Sequence, residues 1–145
     1  MIRIICLGKI KEKYLQDAIN DYYHRIMKYH KIEIIELKDD KNIVNEENSL
    51  LKYIDNKSYN IGMVITGNKL DSISLSKKIN EIFNHYATIN IFIGSSNGLS
   101  LNVLNRMDYL LSFGDITMPH GLFRLVLLEQ IYRCFKINNN EKYHK

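Results

Sequence analysis

Residues 111–137 read LSFGDITMPHGLFRLVLLEQIYRCFKI and join a short apolar run to a loop and a long helical pattern. The loop contains Gly114 and Pro119, the chain's only proline, and His120 follows. Proline fixes φ at about −65° and lacks an N–H, so it is tolerated at a helix start and stiffens the backbone around it. The stretch predicts a last strand at 110–118 and a last helix at 121–137. It is either an ordinary helix start or the wall of a pocket.

The same alternation of strand and helix patterns runs through the rest of the chain. Predicted strands lie at 2–7, 32–37, 61–66 and 89–93. Predicted helices lie at 13–29, around 50–54, after a cap at Ser72 or Ser74, and after a cap at Ser100 in a helix that includes Tyr109. This alternation predicts one α/β domain over residues 1–145, with a mainly parallel sheet and helices on both faces.

Three loops are candidates for a binding site. In open α/β sheets, ligands bind beyond the carboxyl ends of the strands, where the following loops meet. Thr66–Gly67, Gly94–Gly98 and Gly114–His120 all follow predicted strands. Glycine lets the backbone approach a ligand closely, although it also simply ends strands. We expect the three loops to converge.

The composition limits the classes of protein and partner. A net charge of +4 favours an anionic partner such as nucleic acid. No apolar run approaches the roughly 18 residues of a membrane span, and the N-terminus lacks the pattern of a signal peptide. We therefore expect a cytoplasmic protein without a membrane partner. Cys6 and Cys134 stand in apolar contexts and are predicted to be reduced core thiols.

The chain lacks several well-known functional motifs. The loop GSSNG at 94–98 matches neither the dinucleotide-binding nor the P-loop pattern. The serines do not form a nucleophile elbow, and the histidines and cysteines do not have metal-ligand spacing. These observations argue against a Rossmann dinucleotide site, a P-loop, a hydrolase and a zinc enzyme. We expect no bound metal.

Several segments nevertheless resemble one enzyme family. IFIGSSNGLS, LLSFGDITMPHGLFRLVLLEQIYRCFKI, the terminal YHK and the opening LGKIKEKYLQDAINDYYHRI are similar to segments of SPOUT-class RNA methyltransferases of the RlmH type. The resemblance covers nearly the whole chain and is densest in the last third. It implies a SPOUT fold with a deep trefoil knot near the C-terminus, although true knots are nearly absent from proteins.

The resemblance also implies a function. It suggests a homodimer that uses S-adenosylmethionine to methylate N3 of a pseudouridine in the 23S ribosomal RNA of the large subunit. The substrate would be the assembled ribosome, and we expect no DNA partner. The positions that correspond to cofactor contacts are Met63, Gly94, Phe113, Gly114, Asp115, Ile116, Thr117 and Met118.

Four further residues are candidates for the chemistry that the resemblance implies. N3 must lose its proton, and His120 and His144 titrate near neutrality. Tyr143 would stack on the base or bond to it, and Arg124 would bind phosphate or lower the pKa of the acceptor. Each has a plainer interpretation. His120 can be an exposed residue at an ordinary helix start, Arg124 can pair with an acidic neighbour, Tyr143 can dock the C-terminal tail, and chain ends such as His144 commonly fray.

The last predicted helix, at 121–137, is relevant to whether the chain forms a dimer. Apolar residues cover most of its circumference, and the remaining polar side is predicted to hold Arg124, Glu129, Gln130, Arg133 and Lys136. Burial inside a monomer explains this pattern as well as pairing about a twofold axis does. Two rival functions stay open, a noncatalytic RNA-binding protein and another nucleotide-dependent α/β enzyme.

Overall fold

Five parallel strands form the central sheet of the computed structural model, which describes residues 1–145. The elements in chain order are β1 (Ile2–Leu7), α1 (Lys13–Met27), β2 (Ile32–Leu37), α2 (Ile43–Leu51), β3 (Tyr59–Lys69), α3 (Ser72–Phe83), β4 (Ile89–Ile93), α4 (Leu101–Leu104), β5 (Tyr109–Ser112) and α5 (His120–Asn138). The strand order is β2-β1-β4-β3-β5, with every pair parallel. The predicted α/β fold with a parallel sheet is confirmed.

Helices cover both faces of this sheet because successive strand side chains point in opposite directions. Ile2, Ile4 and Cys6 face the larger core, which α1, α3 and α5 complete. Ile5 and Leu7 face a smaller core with Leu50 of α2 and Val103 of α4. Helix α5 lies between α1 and α3 and packs against both. No helix has the length and apolar character needed to cross a membrane.

Strand β3 is interrupted where it passes its edge neighbour. Met63 and Asn68 are both in register with Leu111 of β5, so residues 64–67 loop out of the ladder. Extra residues in one strand bend it and aim its side chains away from the regular sheet. The loop at 64–67 therefore stands beside the carboxyl ends of β3 and β5.

Two predicted boundaries in the last third are wrong. Strand β5 ends at Ser112 rather than at Met118, because the Ser112 hydroxyl accepts a bond from Gly114 N–H (3.0 Å) and donates one to Ile65 O (2.8 Å). Helix α4 is a single turn that ends at Leu104, and Tyr109 belongs to β5. The Ser100 cap itself is confirmed, since its side chain accepts from Val103 N–H.

The predicted cap of α3 is also wrong. Asp71 is the N-cap, and its carboxylate accepts a bond from the backbone N–H of Ser74 (2.7 Å). Ser72 lies inside the first turn, where its hydroxyl donates to Gln130 of α5 (2.7 Å). A carboxylate satisfies a free helical N–H at least as well as a serine, so the boundary moves by one residue.

Candidate functional site

The three candidate loops meet in one cavity at the carboxyl ends of β3, β4 and β5. Its volume is about 610 Å³. The lining residues are Met63, Val64, Ile65, Thr66, Ile93, Gly94, Ser95, Ser96, Gly98, Leu99, Leu111, Phe113, Gly114, Ile116, Thr117, Met118, Pro119, His120 and Phe123. The predicted convergence of the loops is confirmed. The walls consist of backbone and apolar side chains, with hydroxyls from serine and threonine.

Most of the predicted cofactor contacts line this cavity, and Asp115 is the exception. Met63, Gly94, Phe113, Gly114, Ile116, Thr117 and Met118 are all in its wall. The Asp115 carboxylate instead forms an ion pair with Lys69 (2.8 Å), and its side chain is 76% exposed. Asp115 therefore faces solvent while the residues on either side of it form the wall.

Six apolar wall residues lie outside the predicted loops and site residues: Val64, Ile65, Ile93, Leu99, Leu111 and Phe123. Val64 and Ile65 belong to the segment that loops out of β3, and Phe123 lies one turn inside α5. Strand periodicity places Val64 and Ile65 in a regular ladder and gives no sign of the interruption. The helical spacing of Phe123 from His120 was the one available signal, because residues three apart share a helix face.

The loop before α5 has a defined shape. Gly114 has φ +111°, a conformation that side-chain-bearing residues rarely adopt. Pro119 is the N-cap of α5 with φ −54° and ψ 144°, and its carbonyl accepts the N–H of Phe123 (2.9 Å). The rings of Phe113 and Phe123 lie 5.6 Å apart and close the base of the loop. Pro119 therefore both ends the loop and lines the cavity.

The β4 loop is a tight turn. Ser95 O accepts the N–H of Gly98 (2.9 Å), and Gly98 has φ +72°. A Cβ on Gly94 would lie 2.5 Å from the carbonyl carbon of Gly98, closer than real Cβ atoms approach. Any side chain at Gly94 would therefore open the turn that forms one wall of the cavity.

His120 lies in the cavity wall with a neutral imidazole. Its Nε2 is 2.7 Å from Nη2 of Arg124. Because a guanidinium can only donate, Nε2 must accept and its lone pair is occupied. Burial first, and then the Arg124 charge, lower the pKa of His120, while the charges of Glu36 and Asp39 act in the opposite direction. His120 thus connects the start of α5 to Arg124.

Arg124 does not lie on the polar side of α5, where it was predicted. It is 2% exposed and does not line the cavity. Its guanidinium donates to Glu36 Oε2 (2.7 Å) and to Gly8 O (3.1 Å), while its Nε has no partner. A buried guanidinium needs a paired carboxylate, and Glu36 at the end of β2 supplies it. This burial leaves the Arg124 guanidinium without the exposure that contact with a phosphate group requires.

Tyr143 and His144 lie away from the cavity of their own chain. The Tyr143 hydroxyl donates to Glu129 Oε1 (3.0 Å), and its ring lies 4.9 Å from that of Tyr132. Burial and hydrogen bonds raise the pKa of Tyr143. His144 Nδ1 is 3.3 Å from Nη1 of Arg133. Tyr132 is twelve positions along α5 from His120, which corresponds to about 18 Å of helix.

The structure also shows whether side chains cluster for metal binding and where the two thiols lie. No cluster of three or more His, Cys, Asp or Glu side chains could hold a metal ion. Cys6 and Cys134 are buried free thiols, as predicted. Burial raises the pKa of Cys6 to about 11 and that of Cys134 to about 12. Both therefore remain protonated and unreactive near neutral pH.

Comparison with known proteins shows which family model matches the chain and which proteins are similar to it. A family model described as "Predicted SPOUT methyltransferase" matches residues 1–144. The chain is 46% identical to the ribosomal RNA large subunit methyltransferase H of Fusobacterium nucleatum, with 99% of each chain covered. It is 41% identical to the protein of the same name from Malacoplasma penetrans, again with 99% of each covered.

One solved structure has a similar fold at low sequence identity. It is the SpoU methyltransferase AviRb from Streptomyces viridochromogenes in complex with the cofactor AdoMet, with a TM-score of 0.51 and 10% identity. The match covers 95% of the present chain and 60% of AviRb, so the present chain spans only part of that protein's length. This likeness concerns the fold alone.

Proposed function

The chain belongs to the SPOUT methyltransferase family, and we propose that it transfers a methyl group from S-adenosylmethionine to N3 of a pseudouridine in large-subunit ribosomal RNA. Family membership makes the chain an enzyme, which removes the reading of a noncatalytic RNA-binding protein. The names of the relatives from Fusobacterium and Malacoplasma support ribosomal RNA as the substrate. The net charge of +4 suits a polyanionic partner.

The observation that carries the proposal is the cavity formed by three loops at one end of the sheet. Its volume of about 610 Å³ lies inside the range of roughly 300–1,000 Å³ for small-molecule sites. Apolar walls and loop backbone suit an adenine ring, which bonds to N–H and C=O groups and stacks on side chains. The cofactor contacts we propose are Met63, Gly94, Phe113, Gly114, Ile116, Thr117 and Met118, with Asp115 fixing the loop from outside through Lys69.

The bound cofactor supplies an electrophilic methyl group on a sulfonium. The residues of this chain hold the two reactants in line, and such orientation contributes roughly 7–11 kcal/mol in favourable cases. We propose that His120 acts here together with Arg124, because the two side chains are joined at 2.7 Å. Because its Nε2 lone pair is occupied, His120 does not accept the N3 proton and instead fixes the cavity wall at the start of α5. We propose that His144, in the C-terminal tail at 139–145, removes the N3 proton.

We propose a homodimer in which the tail of one copy completes the cavity of the other. The tail packs about 18 Å along α5 from His120, so Tyr143 and His144 do not reach their own cavity. Near the cavity, Ile116 is 81% exposed and Leu122 is 41% exposed, which suits contact with a second copy. Light scattering that gives a monomer mass at all concentrations would contradict this proposal.

We also propose that the chain forms the deep trefoil knot of its family. Helix α5 follows the edge strand β5 yet packs between α1 and α3, so the segment 113–119 must cross the ends of β3 and β4. The ion pair of Asp115 with Lys69 holds this segment beside the link from β3 to α3. A crystal structure in which residues 113–119 pass outside that link would refute the knot.

Two experiments test the function directly. Titration calorimetry with S-adenosylmethionine should show one site per chain, and preference for a phosphate-bearing nucleotide would favour another α/β enzyme. Mass mapping of large-subunit RNA, from cells with and without this protein, should show one methylated pseudouridine that depends on it. We propose that the assembled ribosome in the cytoplasm is the substrate, so purified ribosomes should be methylated faster than free RNA.

A further inference from the structure

A buried carboxylate on the face of the sheet opposite α5 contacts the candidate site. Glu46 of α2 is 2% exposed and forms no ion pair. Its Oε2 accepts a bond from Ser95 Oγ (2.8 Å), and its Oε1 accepts one from the backbone N–H of Asp40 (3.0 Å). Burying a carboxylate is costly unless hydrogen bonds satisfy it. Glu46 therefore depends on Ser95 for one of its two bonds.

Ser95 transmits this contact to the cavity wall. Its hydroxyl has one proton, which goes to Glu46, and its oxygen accepts the N–H of Asn97 (3.2 Å). Its carbonyl accepts the N–H of Gly98 (2.9 Å). The orientation of the hydroxyl is thereby fixed, and with it the turn from Gly94 to Gly98. Both Ser95 and Gly98 line the cavity.

Glu47, the next residue of α2, does not share the hydrogen bonds of Glu46. Glu47 bonds to Asn102 Nδ2 of α4 (3.1 Å) and to the Ser100 side chain, and it has no hydrogen bond with the Gly94–Gly98 turn. An apolar residue at the buried position of Glu46 would pack without the cost of desolvating a charge. The bonds of Glu46 lead only to the loop at Asp40 and to the turn that forms the cavity wall.

We propose that Glu46 is a positioning residue for methyl-donor binding, which acts through Ser95 to hold the Gly94–Gly98 turn against the ligand. The inference rests on the proposed function, because it takes S-adenosylmethionine as the ligand of the cavity. Glu46 touches neither the cavity nor the reacting atoms. Its effect is on the affinity for the donor rather than on the chemical step.

The test is a double-mutant cycle on donor affinity. Titration calorimetry with S-adenosylmethionine should show that Glu46→Ala and Ser95→Ala each raise Kd about tenfold, which corresponds to one charge-assisted hydrogen bond. The double variant should be no weaker than either single one, because both remove the same bond. Glu46→Gln should stay within about threefold of the wild type, since its amide can donate to Ser95 Oγ and accept from Asp40 N–H. In Glu46→Ala, whose side chain lies outside the cavity, the loss should appear in Kd and not in the single-turnover rate at saturating donor.

Glu47→Ala is the matched control, and its Kd should stay within about twofold of the wild type. An equal loss in Glu47→Ala, additive effects in the double variant, or unchanged affinity in Ser95→Ala and Glu46→Ala would each overturn the inference. If Glu46→Ala fails to fold, Glu46→Leu, whose apolar side chain fills the same buried space, takes its place in the affinity and exchange measurements.

Hydrogen exchange separates failure of this inference from failure of the proposed function. If the wild type itself does not bind the donor, the proposed function fails. The amides of Asn97 and Gly98 should still exchange at least tenfold faster in Glu46→Ala than in Glu47→Ala, because the turn loses its anchor while the Ser95 hydroxyl that accepts from Asn97 stays in place. Equal exchange in the two variants would overturn the positioning role without reference to any ligand.

Discussion

Replacing Glu36 by alanine should destabilise the protein through Arg124. Glu36 accepts bonds from Nη1 of Arg124 (2.7 Å) and from the backbone N–H of Ile10 (3.3 Å). Arg124 is 2% exposed, whereas the Glu36 side chain is 36% exposed. After the substitution the guanidinium keeps only Gly8 O and His120 as partners. A buried positive charge then lacks its counter-charge.

The magnitude follows from the burial of the two partners. Removing one member of a fully buried ion pair costs about 3–5 kcal/mol. Because Glu36 is partly exposed and water can enter the space that it leaves, we expect the lower end of that range, about 3 kcal/mol. For a chain of this size, 1 kcal/mol corresponds to a change in Tm of roughly 2–4 °C, so Tm should fall by roughly 6–12 °C.

Urea denaturation and calorimetry of the purified protein measure both quantities. Glu33→Ala is the matched control, because Glu33 lies on the same strand and pairs at 3.4 Å with Arg3, whose side chain is 33% exposed where that of Arg124 is 2% exposed. Such surface pairs contribute about 0–1 kcal/mol. Glu36→Gln should lose less than Glu36→Ala, since it retains an oxygen that accepts from Arg124. A loss below 1 kcal/mol in Glu36→Ala would refute this account of the buried arginine.

The remaining predictions concern the site and its partners. The contribution of His120 to the unfolding free energy should be at its full value above pH of about 6.5 and should be lost as the pH falls below it, because the pKa of His120 is lower in the folded than in the unfolded state. His120→Gln should weaken the decline in stability over this range in denaturation curves at pH 5–8. In single-turnover assays, His120→Ala should reduce methyl transfer at least a hundredfold, because the cavity wall at the start of α5 is no longer fixed, and a change of only a few fold would contradict that role. Arg124→Ala should lower stability while leaving affinity for ribosomes within about twofold, and a large loss of affinity would show that RNA reaches it. Dimers mixed from His120→Ala and His144→Ala subunits should regain activity that neither variant has alone, whereas inactive mixtures would place both residues in one subunit's site.

Much of the fold was predictable because it depends on local patterns. The period of the apolar residues predicted β1, β2 and β4 within their observed bounds and the buried face of α1 at Leu15, Ile19 and Ile26. The rule that loops meet at the carboxyl ends of parallel strands located the cavity. The resemblance to a family then supplied most of its wall residues, which periodicity alone does not identify.

The end of β5 and the interruption of β3 were not predictable for a physical reason. Ser112 ends its strand by bonding to Ile65, which is 47 positions away. The loop at 64–67 leaves the ladder because Met63 and Asn68 pair with the same residue of β5. Both features depend on which strands become neighbours, and a window of a few residues contains no such information.

Sequence alone determined the alternation of strands and helices, the two buried thiols and the three glycine-bearing loops, because each follows from residues close together in the chain. Only the tertiary structure decided the roles of charged side chains. Arg124 is buried because Glu36, 88 positions away, reaches it, and Glu46 touches the cavity loop through Ser95, 49 positions away. The energy of a charge depends on its neighbours in space, and packing alone brings those neighbours together.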